Sequence, residues 1–377
     1  KAGDKYVPLT TQEILEDNEL QEETTNMFNY ASNGSYIASI TEEGPQYGSE
    51  PSQVTNGLYS MEDEDGTSYY YRGAVENNNV QFGEYQSDYY VYNYGSRYFQ
   101  SLEACQEYDS RCSESNRVKL ANAGDKMYWK IVRVNGDGSL RLIYNGTSAT
   151  PDSSDLAHSY AVGKASYNLE KNDPKYTGYT YDRNTNETDS FIKREVDTWY
   201  KNALGNTAYD SKVIGGRFCS DSSGYKLASE YDVSEEKLGD LTDVYMYSSM
   251  GDRLANFQKN SPGNNAPTLK CPATEETYGG SYRLKAGLIT ADELVLAGEN
   301  SYVVGNSYLN LGDNGDWYWS MSSGAFFNGD ASVWREMEFL DITDVNIDLA
   351  VRPVINVTTD NGFTSGDGTA SNPYVIS

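Results

Sequence analysis

The sequence contains one histidine, His158, in 377 residues. That scarcity all but removes a Ser-His-Asp or Cys-His catalytic group and a histidine-ligated zinc site. Cysteine is scarce too: Cys105, Cys112, Cys219 and Cys271, with no C-x-x-C pair. An even count at such spacings reads as two disulfides rather than a metal centre. Three pairings are open. We favour 105–112, which closes a local loop, and 219–271, whose members flank the same predicted core. Positive charge is in short supply. Twenty-nine Lys and Arg against 56 Asp and Glu leave a formal charge of −27 and a pI near 4.3. Such a chain does not neutralise nucleic-acid phosphates, nor does it suit an anionic membrane surface. No apolar run reaches the 18 residues of a membrane-spanning helix. The chain starts at Lys1 with no signal peptide, so it reads as a mature or trimmed ectodomain whose anchor has been removed.

Tyrosine is abundant where phenylalanine is not, 34 against ten. Tyrosine supplies aromatic area with a hydroxyl that tolerates water, which suits both strands and adaptable recognition surfaces. The pattern along the chain is mostly strand. Ser68–Gly73 and Val80–Phe82 flank a turn at Asn77-Asn78-Asn79. Tyr128–Val134 and Ser139–Tyr144 flank Asn135-Gly136-Asp137-Gly138, whose Asn-Gly and Asp-Gly pairs supply the positive φ of a hairpin turn. Ile192, Val196, Trp199 and Ala203 recur at spacings of 4, 3 and 4, giving a helix over 188–204 with Asp189 or Ser190 as its cap. A second helix starts from a Thr290/Glu293 capping box and stops at Gly298. Thr10 and Glu13 offer another capping box in an otherwise polar N-terminus. Trp317–Ser323, Ser332–Met337 and Ala350–Val357 then alternate apolar and polar residues as short closing strands. Two helices among many short antiparallel strands make an α+β fold.

Two stretches carry a resemblance. One is Y-Y-Y-R-G, N-x-V-x-F and Y-W-K-I-V-R-V-N-G-D-G-S-L-R-L-I near the start; the other is W-S-M-S-S, V-W and V-R-P-V-I-N-V at the end. With F-C-S-D, T-L-K-C-P and G-L-I-T-A-D-E between them, the order resembles the C-type-lectin-like domain of Gram-positive surface proteins. That domain is related to the formylglycine-generating-enzyme fold and to the binding proteins of diversity-generating retroelements. The resemblance spans about 57–357. It implies a polar N-terminal arm and linker over 1–56, a C-type-lectin-like domain over 57–357 and a C-terminal tail over 358–377. Within the domain a Tyr-rich insertion, 84–125, separates two strands that otherwise match, so we expect it to be dispensable for the fold.

The resemblance implies an extracellular cell-surface protein rather than an enzyme. The related oxidising enzymes use reactive cysteines with copper, whereas Cys219 and Cys271 read here as a disulfide. The sugar-binding Glu-Pro-Asn and Gln-Pro-Asp triplets of calcium-dependent lectins are missing, so the fold alone does not make a lectin. We expect recognition or adhesion toward a glycan or protein ligand, through the insertion and the loops 312–316 and 324–332. Tyr89, Tyr90 and Tyr92 in the insertion are candidate ligand-binding residues. So are Tyr318, Phe327 and Arg335 near the closing strands, with Trp319 and Trp334 assigned to the core. Asp313, Asp316 and Asp330 are candidate calcium ligands, on oxygen-rich loops that otherwise read as Asx turns. No other cofactor is implied. The alternative function is a structural subunit of a pilus-like filament, with copies of the chain as partners.

Overall fold

The computed structural model describes residues 9–21, 37–41, 44–47, 56–152, 159–181, 188–220, 224–225, 244–247, 267–271, 281–299, 306–311, 317–327, 329–337, 339–358 and 361–377. Among them are four α-helices: α1 (Leu9–Asp17), α2 (Leu102–Tyr108), α3 (Phe191–Ala203) and α4 (Ala291–Ala297). The fold is α+β, built mainly on two antiparallel sheets.

The first sheet is organised on the nine-residue strand Lys126–Val134. On one side it pairs with Leu140–Tyr144 through the Asn-Gly-Asp-Gly turn, where Gly138 has φ +85°. On its other side lie Thr67–Arg72 and Asn79–Glu84. Val354–Val357 continues the sheet beyond Leu140–Tyr144. Gly136 is also needed for close approach, since a Cβ there would lie 2.3 Å from Asp63 Oδ1. The second sheet runs from Gly224–Tyr225 and Val244–Tyr247 through Tyr318–Phe327, Asp348–Val351 (parallel to it), Gly163–Ser166, Arg97–Phe99 and Tyr89–Tyr94 to the edge strand Arg117–Ala121.

Helix α3 packs its Ile192, Val196, Trp199 and Ala203 face into the core, and Ser190 Oγ accepts from Lys193 N–H at its start. Trp199 meets Trp129 and Tyr144 edge-on at 6.2 and 5.5 Å, a favoured ring arrangement. Trp129 Nε1 donates to Phe82 O at 2.7 Å and Trp199 Nε1 to Tyr85 Oη at 3.3 Å, so the buried indoles are satisfied. Helix α4 forms with both halves of its capping box, and Gly298 (φ +117°) closes it.

Four expectations are corrected. The first concerns the insertion, which is not an appendage. Asn79–Glu84 and Lys126–Val134 do pair directly, from Asn79↔Lys130 to Glu84↔Lys126. The chain between them returns to the body, however: Tyr98 pairs with Lys164, and Tyr85, Tyr89, Val91, Phe99 and Leu120 join the main core. The N-terminal region is more than an arm, because α1 buries Ile14 completely and Gln21 N–H donates to Leu58 O at 2.7 Å. Thr10 lies within α1, buried, rather than capping it; Glu13 Oε2 instead accepts from Phe363 N–H. Within the expected arm and linker over 1–56, Gly44–Tyr47 is not an open linker but pairs with Ile37–Thr41. The tail, open between a terminal strand and a linker stub, ends as the strand Tyr374–Val375, parallel to Val80 and Gln81, with Tyr374 1 % exposed.

Both disulfides are formed, Cys105–Cys112 and Cys219–Cys271. The first ties α2 to the loop that follows it. The second joins residues 52 apart in sequence, beside the ladder Gly216–Cys219 with Ser281–Leu284. No helix among the described residues is long and apolar enough to cross a membrane.

Candidate functional site

Strand alternation in Tyr89–Tyr94 sends Tyr89 and Val91 inward and leaves Tyr90, Tyr92 and Tyr94 half-buried on the outer face. The structure therefore divides the candidate tyrosines. Tyr89 is 7 % exposed and spends its hydroxyl on Gln100 Oε1 at 2.8 Å, so it is a core residue. Tyr90 and Tyr92 face out. Arg117, opposite Tyr92 in the edge strand, stacks on the Tyr90 ring at 3.9 Å. Tyr92 Oη donates to Glu114 at 3.2 Å, and Arg111 lies over the Tyr94 ring at 5.9 Å. Asp109 chelates Arg111 through Nε and Nη2, at 3.0 and 2.6 Å. Val118 on the same edge strand is 38 % exposed. The result is a row of three tyrosines and two arginines with charged neighbours, Arg111 lying within the loop closed by Cys105–Cys112. It is an aromatic strip in which Arg111 is paired with Asp109 and Tyr92 with Glu114.

Glu195 anchors this strip from inside. Its Oε2 accepts from Gln100 N–H at 2.8 Å, and Gln100 Nε2 donates to Val162 O at 2.6 Å. Burial pushes the Glu195 carboxyl up to about 8, against the Gln100 N–H and Arg194, which pull it down. It is therefore mostly protonated at neutral pH.

A second cluster lies at the closing strands. Tyr318–Phe327, Asp330–Met337 and Phe339–Asp344 form a meander in which Trp319, Arg335 and Asp341 are cross-strand neighbours. They share one face with Trp317, two residues before Trp319. Arg335 lies 4.3 Å over the Trp317 ring and reaches Asp341 Oδ2 at 3.4 Å. Trp317 is 41 % exposed, Arg335 only 7 %.

Tyr318 points the other way and is fully buried, which corrects its assignment to the surface. Its hydroxyl donates to Leu309 O at 3.1 Å and Arg352 lies over its ring at 4.6 Å. Trp319 and Trp334 are core residues, 0 and 2 % exposed. The side chain of Phe327 lies outside the described residues, although its backbone pairs with Asp330 and Val244. The expected loop 324–332 is mostly strand, the chain reversing after Phe327 and pairing again from Asp330. Asp330 is drawn to Lys171, which bridges it at 3.0 Å and Asp344 at 2.9 Å. Asp313, Asp316 and the lone His158 lie outside the described residues.

A buried charge cluster escaped the sequence reading. Glu293 Oε1 lies 2.5 Å from Arg141 Nε and 3.1 Å from Arg133 Nε, while Arg133 Nη1 reaches Asp63 at 3.0 Å. Burial pushes the Glu293 carboxyl up, but Arg141 and Arg133 outweigh it and hold the group below its ordinary range. Beside the cluster, under Cys219 and Leu269, is a cavity of about 20 Å³, room for one water on the usual scale. The only local signal was the Glu293 capping box; its arginine partners are more than 150 residues away in sequence.

No family model, curated protein or solved structure matches the chain.

Proposed function

We propose that the chain is an extracellular recognition protein, built on a C-type-lectin-like α+β domain, that adheres to a glycan or protein ligand at a cell surface. The observation that carries this reading is the outward row Tyr90, Tyr92 and Tyr94, ordered by Arg117, Glu114 and Arg111. Tyrosine and arginine are the residues that most often dominate binding energy at interfaces. Fixing them on a strand paired on both sides lowers the entropy lost on binding. The two disulfides support an oxidising compartment. The four helices among mostly antiparallel strands support the α+β class, and the sequence resemblance supports the narrower C-type-lectin-like assignment.

The discriminating experiment pairs a glycan and surface-protein array with negative-stain electron microscopy of the same purified chain. Dispersed particles that bind a defined set of array spots support recognition. Regular filaments with no array binding would replace it with a structural subunit.

A further inference from the structure

Outside the tyrosine strip, one side chain that the fold leaves unexplained is Arg335. It is 7 % exposed, and its Nε and Nη1 meet no acceptor among the described residues. Its Nη2 has only the 3.4 Å contact to Asp341. A buried cation with unmet donors is unfavourable in isolation, and an orphaned buried polar group calls for a role. A guanidinium edge is shaped to give two parallel N–H bonds to one carboxylate, and Asp341 holds that edge weakly.

Trp317 adds the second feature. It is one of four large apolar side chains exposed among the described residues, and the one aromatic among them. One ring face meets the Arg335 guanidinium at 4.3 Å, and the residue is 41 % exposed. A flat apolar ring beside a guanidinium with two donors unmet among the described residues matches a ligand that joins both features in one small unit. A pyranose ring bearing a carboxylate does so, with its C–H face on the indole and its carboxylate on the guanidinium. A neutral sugar leaves the donors unmet. An acidic peptide side chain brings the carboxylate without the flat ring.

We propose that Trp317, Arg335 and Asp341 form a binding site for a carboxylated sugar of the uronic acid class. Trp317, being exposed, tilts from the guanidinium as the carboxylate enters, and the ligand displaces the long Asp341 contact. This deepens the recognition reading above, on a face separate from the tyrosine strip.

The test titrates the whole chain with glucuronic acid, with glucose and with a short glutamate-rich peptide, following tryptophan fluorescence and calorimetry. Glucuronic acid is expected to bind saturably and glucose not at all. Trp317→Ala should weaken binding by about tenfold or more, the loss of a stacked anchor. Asp341→Asn should tighten it about threefold, by removing a competing carboxylate. Both residues are solvent-facing, so these variants keep the fold. Failure of glucuronic acid to bind at ~10 mM, about the weakest affinity worth calling a site, overturns the proposal. So does unchanged binding in both variants, and peptide binding tighter than glucuronic acid overturns the sugar assignment. If Trp317→Ala abolishes glucuronic acid binding while array binding persists, this site stands apart from the tyrosine strip. If array binding fails but glucuronic acid still binds, the tyrosine-strip reading falls and this site remains.

Discussion

Replacing Glu195 by glutamine should raise the stability of the protein, and should do so only above a particular pH. Glu195 is 2 % exposed and its carboxyl is pushed up to about 8, chiefly by burial. The unfolded chain releases that proton near 4.5. Between these values the folded state holds a proton that the unfolded state does not. Stability therefore falls as pH rises through this window; below 4.5 the group is neutral in both states and has no effect. Each pH unit inside the window costs up to about 1.4 kcal/mol, so from pH 5 to pH 7.5 the loss sums to about 3 kcal/mol. Glutamine has nearly the same shape, is never charged, and keeps an oxygen for the Gln100 N–H. Urea unfolding of both proteins from pH 5 to pH 7.5 reads the effect as a difference, in which every other titrating group cancels. The gain from Glu195→Gln should grow by about 3 kcal/mol across that range. Parallel curves for the two proteins would refute the burial argument for Glu195.

Other outcomes follow from the same packing. Joining Gly83 to Met127 through a short linker should abolish cooperative unfolding, because the deleted segment supplies Phe99 and Val91 to the core and pairs through Tyr98 with Lys164; a sharp thermal transition in the deleted protein would restore the insertion as an appendage. The disulfides should differ in weight: loops of seven and 52 residues give about 2 and about 4 kcal/mol by chain entropy, read by denaturation of the Cys105→Ala/Cys112→Ala and Cys219→Ala/Cys271→Ala variants. Trp199→Ala should cost about 3–5 kcal/mol, as for a fully buried aromatic, and a loss under 1 kcal/mol by the same assay would contradict its central place in the core. Glu293→Gln leaves Arg141 and Arg133 without their shared carboxylate and should cost about 3–5 kcal/mol, seen as a lower urea midpoint at neutral pH.

What was legible in the sequence was local. The Asn135–Gly138 turn, the Thr290/Glu293 box with Gly298, and the 4-3-4 spacing of α3 each carry their signal within a few residues, and each forms. What was not legible depends on distant partners. The insertion belongs to the core because Gln100 N–H meets Glu195, 95 residues on, and the tail because Tyr374 meets Val80. Tyr318 was misplaced for a different reason. Tyr318–Phe326 is buried on both faces, so alternation along it does not separate inside from outside. Trp317, just before the strand, is the residue left exposed. The tyrosine strip was half legible: the density of Tyr pointed to the right strand, and only the pleat separates Tyr89 from Tyr90 and Tyr92.

The most direct test of the recognition account is the affinity of the triple variant Tyr90→Ala/Tyr92→Ala/Tyr94→Ala for the ligand-bearing surface that captures the parent chain, measured by biolayer interferometry. All three side chains are half-buried, Tyr92 and Tyr94 against the core, so affinity is compared only on variant protein that retains a cooperative unfolding transition. If the strip carries recognition, affinity should drop by about 100-fold or more, corresponding to about 1 kcal/mol or more for each ring. Binding within twofold of the parent, by a variant that remains folded, would contradict the account.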